Sequence, residues 1–184
     1  MIGLSRKVIL KYSEKYDRKY LNTEDHTIEE NLKRKLESSN YITRNQFIEI
    51  GLWKSKRPKR EYCSPENTED FVKEVTGIAF DSKNERLKIE ILQLLQGCSY
   101  PLASVILHFK YPDLYPILDF RALWSLGIER PKNYDFKFWW DYTSKIRQIA
   151  KENNVSVREL DKALWYYSKE NQKSSFKQGA SRRT

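Results

Sequence analysis

Cysteine is nearly absent from the 184 residues: Cys63 and Cys98 stand alone. Two isolated thiols build neither a disulfide framework nor a zinc or iron–sulfur site. Histidine is as scarce, with only His26 and His108, which excludes a histidine-rich metal centre. No apolar run approaches the roughly 20 residues that a membrane-spanning helix needs. The opening stretch MIGLSRKVILKYSEKYDRKY has no apolar core or cleavage site of a signal peptide, so an intracellular protein is expected. Acidic residues are also in deficit, 25 against 34 Lys and Arg, leaving a net charge of +9. That balance points to a polyanionic partner, nucleic acid first and an acidic membrane surface second, although the same charge also serves solubility. Sustained period-two alternation is missing, as is any repeat of 20–50 residues. The expectation is an all-α fold of about eight helices.

What is present supports that reading. Leu4, Val8, Ile9, Tyr12 and Tyr16 recur at helical spacing over residues 4–20, and Ile28, Leu32 and Leu36 do so over 27–38. Thr43 with Gln46 is a capping box opening a helix through Trp53, with Gly51 as its weak point. Asn67 or Thr68 caps a helix over 69–80, and Ser82 with Glu85 forms a second box before Leu87, Ile89, Ile91, Leu92, Leu94 and Leu95. Residues 136–152 form a further helix, and Ser156 with Glu159 is a third box before the last one. A single helical domain over 1–169 is expected, followed by a basic, disordered tail over 170–184.

Two stretches carry functional content. The first is Trp53 followed by Lys54, Lys56, Arg57, Lys59 and Arg60, five cations beside one indole. It reads equally as a phosphate-gripping loop whose ring stacks on a base and as a solvated loop after a core tryptophan. The second is Leu95 to Leu126. Gly97 sits where one helix must reverse into the next, and glycine alone takes positive φ there at little cost. The next helix begins at Tyr100-Pro101, where proline's missing N–H is no loss. Such a helix start presents free amides to an anion, although an ordinary antiparallel helix pair has the same features. Asp119 opens a third helix and is a favoured N-cap residue.

Taken together, Leu95-Gln96-Gly97-Cys98-Ser99, Ala103, Ile106, Leu107 and Tyr115-Pro116-Ile117-Leu118-Asp119 resemble one known motif. It is the helix-hairpin-helix and catalytic aspartate of the endonuclease III-type DNA glycosylases, the adenine-specific mismatch enzymes included. The match covers about thirty residues. The resemblance implies two helical lobes with the hairpin between them, double-stranded DNA as partner, no membrane, and a monomer. Asp119 falls on the catalytic aspartate, and Gly97, Ser99 and Tyr100 on the phosphate-binding turn. It implies no cofactor beyond a monovalent cation at the hairpin. Bifunctional members carry a Schiff-base lysine where this chain has Pro101, which excludes a lyase route through that position. The second hairpin glycine is Ser99 here, and no cysteine follows Cys98 to build an iron–sulfur loop. The glutamate that protonates adenine has no aligned counterpart.

The chemistry asks for such an aspartate. Breaking the bond from base to sugar develops positive charge at C1′, which a nearby carboxylate stabilises while it orients water. The base must first leave the stack for a pocket of flat walls, for which Trp53 and Trp124 are candidates among rings that mostly belong to the core. Arg121 either grips a phosphate or pairs with a neighbouring acid, and Glu49 and Asp141 stay open as a second catalytic group. The expected function is a monofunctional DNA glycosylase. The alternatives are a noncatalytic hairpin DNA-binding module and a basic helical scaffold for another protein.

Overall fold

A computed structural model describes residues 3–172. Ten α-helices follow in order: α1 (Arg6–Tyr20), α2 (Glu24–Glu37), α3 (Arg44–Lys54), α4 (Lys59–Tyr62), α5 (Glu69–Asp81), α6 (Glu85–Glu90), α7 (Tyr100–Lys110), α8 (Phe120–Leu126), α9 (Phe136–Glu152) and α10 (Val157–Asn171). A 3₁₀ turn, Ile91–Leu94, extends α6, and no strand occurs among the described residues. The count exceeds eight chiefly because the cationic loop contains α4. The last helix continues to Asn171, past the boundary expected at 169, and the remainder of the basic tail, from 173, lies outside the described residues.

Local chemistry sets most boundaries. Thr43 with Gln46 and Ser156 with Glu159 form the reciprocal hydrogen bonds of complete capping boxes. Thr68 caps α5 by accepting the Phe71 N–H. The box expected at Ser82 and Glu85 does not form. Asn84 caps α6 instead, accepting the Leu87 N–H, while the Ser82 hydroxyl holds the Asn84 N–H. The second helix starts at Glu24 rather than 27 because Thr23 caps it through the His26 N–H.

The helices form two lobes over one continuous core. One lobe packs α1, α8 and α9 against α10; the other gathers α2 to α6 around α7. Helix α7 is buried from Leu102 to Phe109, so it has no solvent face and serves as the central post. The segment leading from it to α8 crosses between the lobes and is pinned by side chains from three helices. Ile117 N–H donates to Asp161 of α10, Tyr142 of α9 donates to the Ile117 carbonyl, and Leu118 N–H donates to Ser104 of α7. Each bond satisfies a buried backbone group that has no ladder partner. The same bonds deliver Asp119 to the lobe junction.

Candidate active site

Asp119 is the N-cap of α8: one carboxylate oxygen accepts the Arg121 N–H at 2.9 Å. Its other oxygen receives the Lys54 ammonium at 2.7 Å, from the last residue of α3. Both side chains keep about 15% of their surface, 16% for Asp119 and 15% for Lys54. Burial pushes the carboxyl up, but the Lys54 charge and hydrogen bond, with the Arg121 amide, outweigh it and hold Asp119 below its ordinary range. The capping role and a role facing solvent therefore coexist in one side chain.

That side chain lines a cavity of about 200 Å³, several times the roughly 30 Å³ share of one water. Tyr16 and Tyr20 of α1, Trp53 of α3 and Trp165 of α10 supply flat walls. The Trp53 indole is fixed edge-on to Phe109 and donates to the Asp25 carbonyl. Further polar lining comes from Thr23, Asp25, His26, Glu29, Arg158 and Asp161. Glu29 takes the Arg158 guanidinium at 2.6 Å and the Lys33 ammonium at 2.5 Å. Burial opposes ionisation of Glu29, but these two cations bring its carboxyl down to about 2. Asp161 has no cation hydrogen-bonded to it, and burial raises it to about 7 despite the Ile117 N–H.

The hairpin stands apart from this cavity. Gly97 has φ +84°, as the turn requires, and Ser99 precedes α7 without a side-chain cap. Tyr100 is turned inward, its hydroxyl donating to Glu90, so only its backbone belongs to the turn surface. The cationic loop is tied to the hairpin. The Tyr62 ring, from α4, lies between Gly51 and Gly97, and the buried Asn67 side chain bonds the carbonyls of Glu61, Tyr62 and Gln96 and the Gln96 N–H. Lys56, Arg57, Lys59 and Arg60 are exposed on this unit, and no ion pair involves them among the described residues.

Several expected site residues thus come together and others do not. Asp119, Trp53 and Lys54 meet at the cavity, with Lys54 turned onto Asp119. Arg121 lies between the rings of Phe120 and Trp165 rather than on an acid's side chain, 5.1 and 5.3 Å from their centroids. Trp124 packs on Tyr167 and does not reach the cavity. Asp141 is exposed and pairs with Lys137, and neither it nor Glu49 lines the cavity. Asp161 and Arg158 were not expected there. Their signal was available: Arg158, Asp161 and Trp165 fall at i, i+3 and i+7 on α10 and share a face.

Comparison with known proteins agrees with this architecture. No family model and no curated protein matches the chain by sequence. Among solved structures, it is similar to the Methanocaldococcus jannaschii 8-oxoguanine glycosylase/lyase in complex with 15mer DNA containing 8-oxoguanine. The TM-score is 0.50 at 18% identity, covering 88% of this chain and 80% of that one. The fold is DNA glycosylase-like. Within such a fold, Asp119 stands at the lobe junction beside an aromatic cavity, with the hairpin and the cationic loop joined as a separate unit. Groups of three or more His, Cys, Asp or Glu side chains able to hold a metal do not occur among the described residues. No helix among them is long and apolar enough to cross a membrane.

Proposed function

We propose that the chain is a monofunctional DNA N-glycosylase: it turns a damaged, mismatched or modified base out of double-stranded DNA and hydrolyses its bond to deoxyribose. The observation that carries this reading is the ionised, partly open Asp119 carboxylate on a cavity walled by four aromatic rings. The hairpin turn and the exposed cations of the 54–60 loop grip phosphates, and the protein acts as a monomer without a membrane or an organic cofactor. A monovalent cation at the hairpin is compatible with that grip.

As the bond from C1′ to the base lengthens, the sugar gains positive charge. Asp119, fixed by its cap bond and the Lys54 ion pair, stabilises that charge without having to move. The same carboxylate orients water toward C1′ and receives its proton. Pro101 offers no amine, so the strand stays uncut by that route.

The test is single-turnover base release from duplexes carrying 8-oxoguanine, hypoxanthine, uracil and mismatches. Asp119→Asn keeps the cap and removes the charge. Release should fall on the order of 10²–10³-fold, the typical loss when one preorganised electrostatic group is removed, while DNA affinity stays within about threefold. No release from any duplex by the unaltered protein would leave the noncatalytic hairpin DNA-binding module as the better reading. Lys54 is the one amine side chain lining the cavity among the described residues. A borohydride-trapped protein–DNA adduct that disappears in Lys54→Arg would refute the hydrolytic, monofunctional part.

A further inference from the structure

Asp161 is the one carboxyl group lining the cavity that has a buried oxygen without a hydrogen-bond partner among the described residues. It is 4% exposed, on α10, one turn from Arg158 and from Trp165, and all three line the cavity. Its Oδ2 accepts the Ile117 N–H at 2.9 Å; its Oδ1 is buried and has no hydrogen-bond partner. Buried polar atoms in folded proteins are almost always bonded, so an orphan on a cavity-lining residue calls for a partner that the described residues do not supply. The charged and titratable groups around it are Arg158 on its own helix, Lys54 of α3, Asp119 at the start of α8 and Tyr142 of α9. Neither cation hydrogen-bonds it: Arg158 bonds Glu29 through a terminal nitrogen, its own Nε being buried without a partner, and Lys54 bonds Asp119.

Two carboxyl groups on one cavity therefore differ in state. Asp119 is held ionised by a cation and an amide. Burial, reinforced by the Asp119 charge, keeps Asp161 protonated up to about neutral pH. Such divergence separates a stabilising carboxylate from an acid.

Resting on the glycosylase reading above, we propose that Asp161 is the general acid of the site and that its substrates are bases that leave poorly as anions, purines above all. Its Oδ1 proton passes to a ring nitrogen of the flipped base as the bond to C1′ breaks, with the bonding pair going to the base. Water adds to C1′ and its proton goes to Asp119, so the products are the protonated free base and a 1′-hydroxyl sugar. Solvent then returns the proton from Asp119 to Asp161.

The experiment compares the full chain with Asp161→Asn, which keeps the size of the side chain and an oxygen for the Ile117 N–H. Single-turnover rates are read from pH 5 to 9 on duplexes carrying hypoxanthine, 8-oxoguanine or uracil. The full chain should release purines fastest and lose rate above about pH 7. The variant should lose on the order of 10²–10⁴-fold on purines, the usual span for a general acid, and its high-pH decline should vanish. On uracil, which departs as a stabilised anion, the loss should stay under about tenfold. Equal losses on purines and uracil with an unchanged pH profile would make Asp161 a positioning residue and overturn the proposal. Unchanged purine rates would do the same, as would a full chain that releases uracil alone. If Asp119→Asn abolishes release while Asp161→Asn does not, only the acid assignment falls; if the full chain releases nothing, the glycosylase reading falls and takes this one with it. Should the variant not fold, the full chain decides, since a rate on purines flat to pH 9 overturns the assignment.

Discussion

Replacing Gly97 by alanine tests how the hairpin is built. Two separate costs follow from the structure. At φ +84° an L-residue is strained by about 1–2 kcal/mol. The added methyl would also sit 2.7 Å from the Tyr62 ring and 2.9 Å from the Glu61 Cβ, closer than real contacts, and overpacking of this kind costs about 1–3 kcal/mol. The sum is about 2–5 kcal/mol. A chain of this size loses about 2–4 °C of melting temperature per kcal/mol, so the transition should drop by about 4–20 °C. Gly51→Ala isolates the crowding term. Its methyl would meet the other edge of the same ring at 2.6 Å, but in a helical backbone where alanine is favoured by about 1 kcal/mol over glycine. It should therefore cost only about 0–2 kcal/mol. In a Tyr62→Leu background the Gly51 penalty should vanish, whereas Gly97→Ala should keep the share due to φ and to the Glu61 Cβ. Thermal unfolding followed by circular dichroism reads all six proteins, the parent included, as two double-mutant cycles. A Gly97→Ala melting point within 2 °C of the parent would refute the reasoning, because neither the turn nor the ring contact would then be as described.

Two further outcomes follow from the same side chains. Burial lowers His108 to about 3 from an ordinary 6.5, so its contribution to stability is present above pH 6.5 and lost as pH falls toward 3. Asp161, raised to about 7 from 3.8, works the other way: its contribution is present below pH 3.8 and lost as pH rises to about 7. Over pH 4.5 to 6.5 the two slopes, each near 1.4 kcal/mol per pH unit at most, should largely cancel. Denaturant titrations should show Asp161→Asn becoming more stable with rising pH and His108→Gln less stable; parallel profiles in both variants would contradict this. For DNA, replacing Lys56, Arg57, Lys59 and Arg60 by serine should flatten the plot of log affinity against log salt by up to about 0.9 for each phosphate no longer neutralised. An unchanged slope would remove the loop from the DNA-contacting surface.

The helices, their caps and the hairpin were legible in the chain because they depend on neighbours a few residues away. Thr43 with Gln46, Ser156 with Glu159, Gly97 and the Asp119 cap all bond within one helical turn or reverse the chain locally. Asp119 itself stood out because its spacing from Gly97 matched a known motif and because α8 needed an N-cap. Even local reading failed where two residues competed, as when Asn84 rather than Ser82 capped α6.

What the cavity contains was decided only by the fold. Lys54 looked like one more cation of a basic run, but it lies 65 positions from the carboxylate it pairs with, and composition cannot register a contact of that range. Trp124 and Trp165 are equally plausible stacking rings as letters; the packing of α10 on α8 puts one against Tyr167 and the other on the cavity wall. Asp161 could be expected on the solvated face of a charged helix, and α9, α10 and the 117–119 segment close around it instead. Short-range hydrogen bonding specifies elements from sequence alone. A carboxyl group's state depends on burial and on charges brought from distant segments, so the difference in state between Asp119 and Asp161 exists only once the lobes have met.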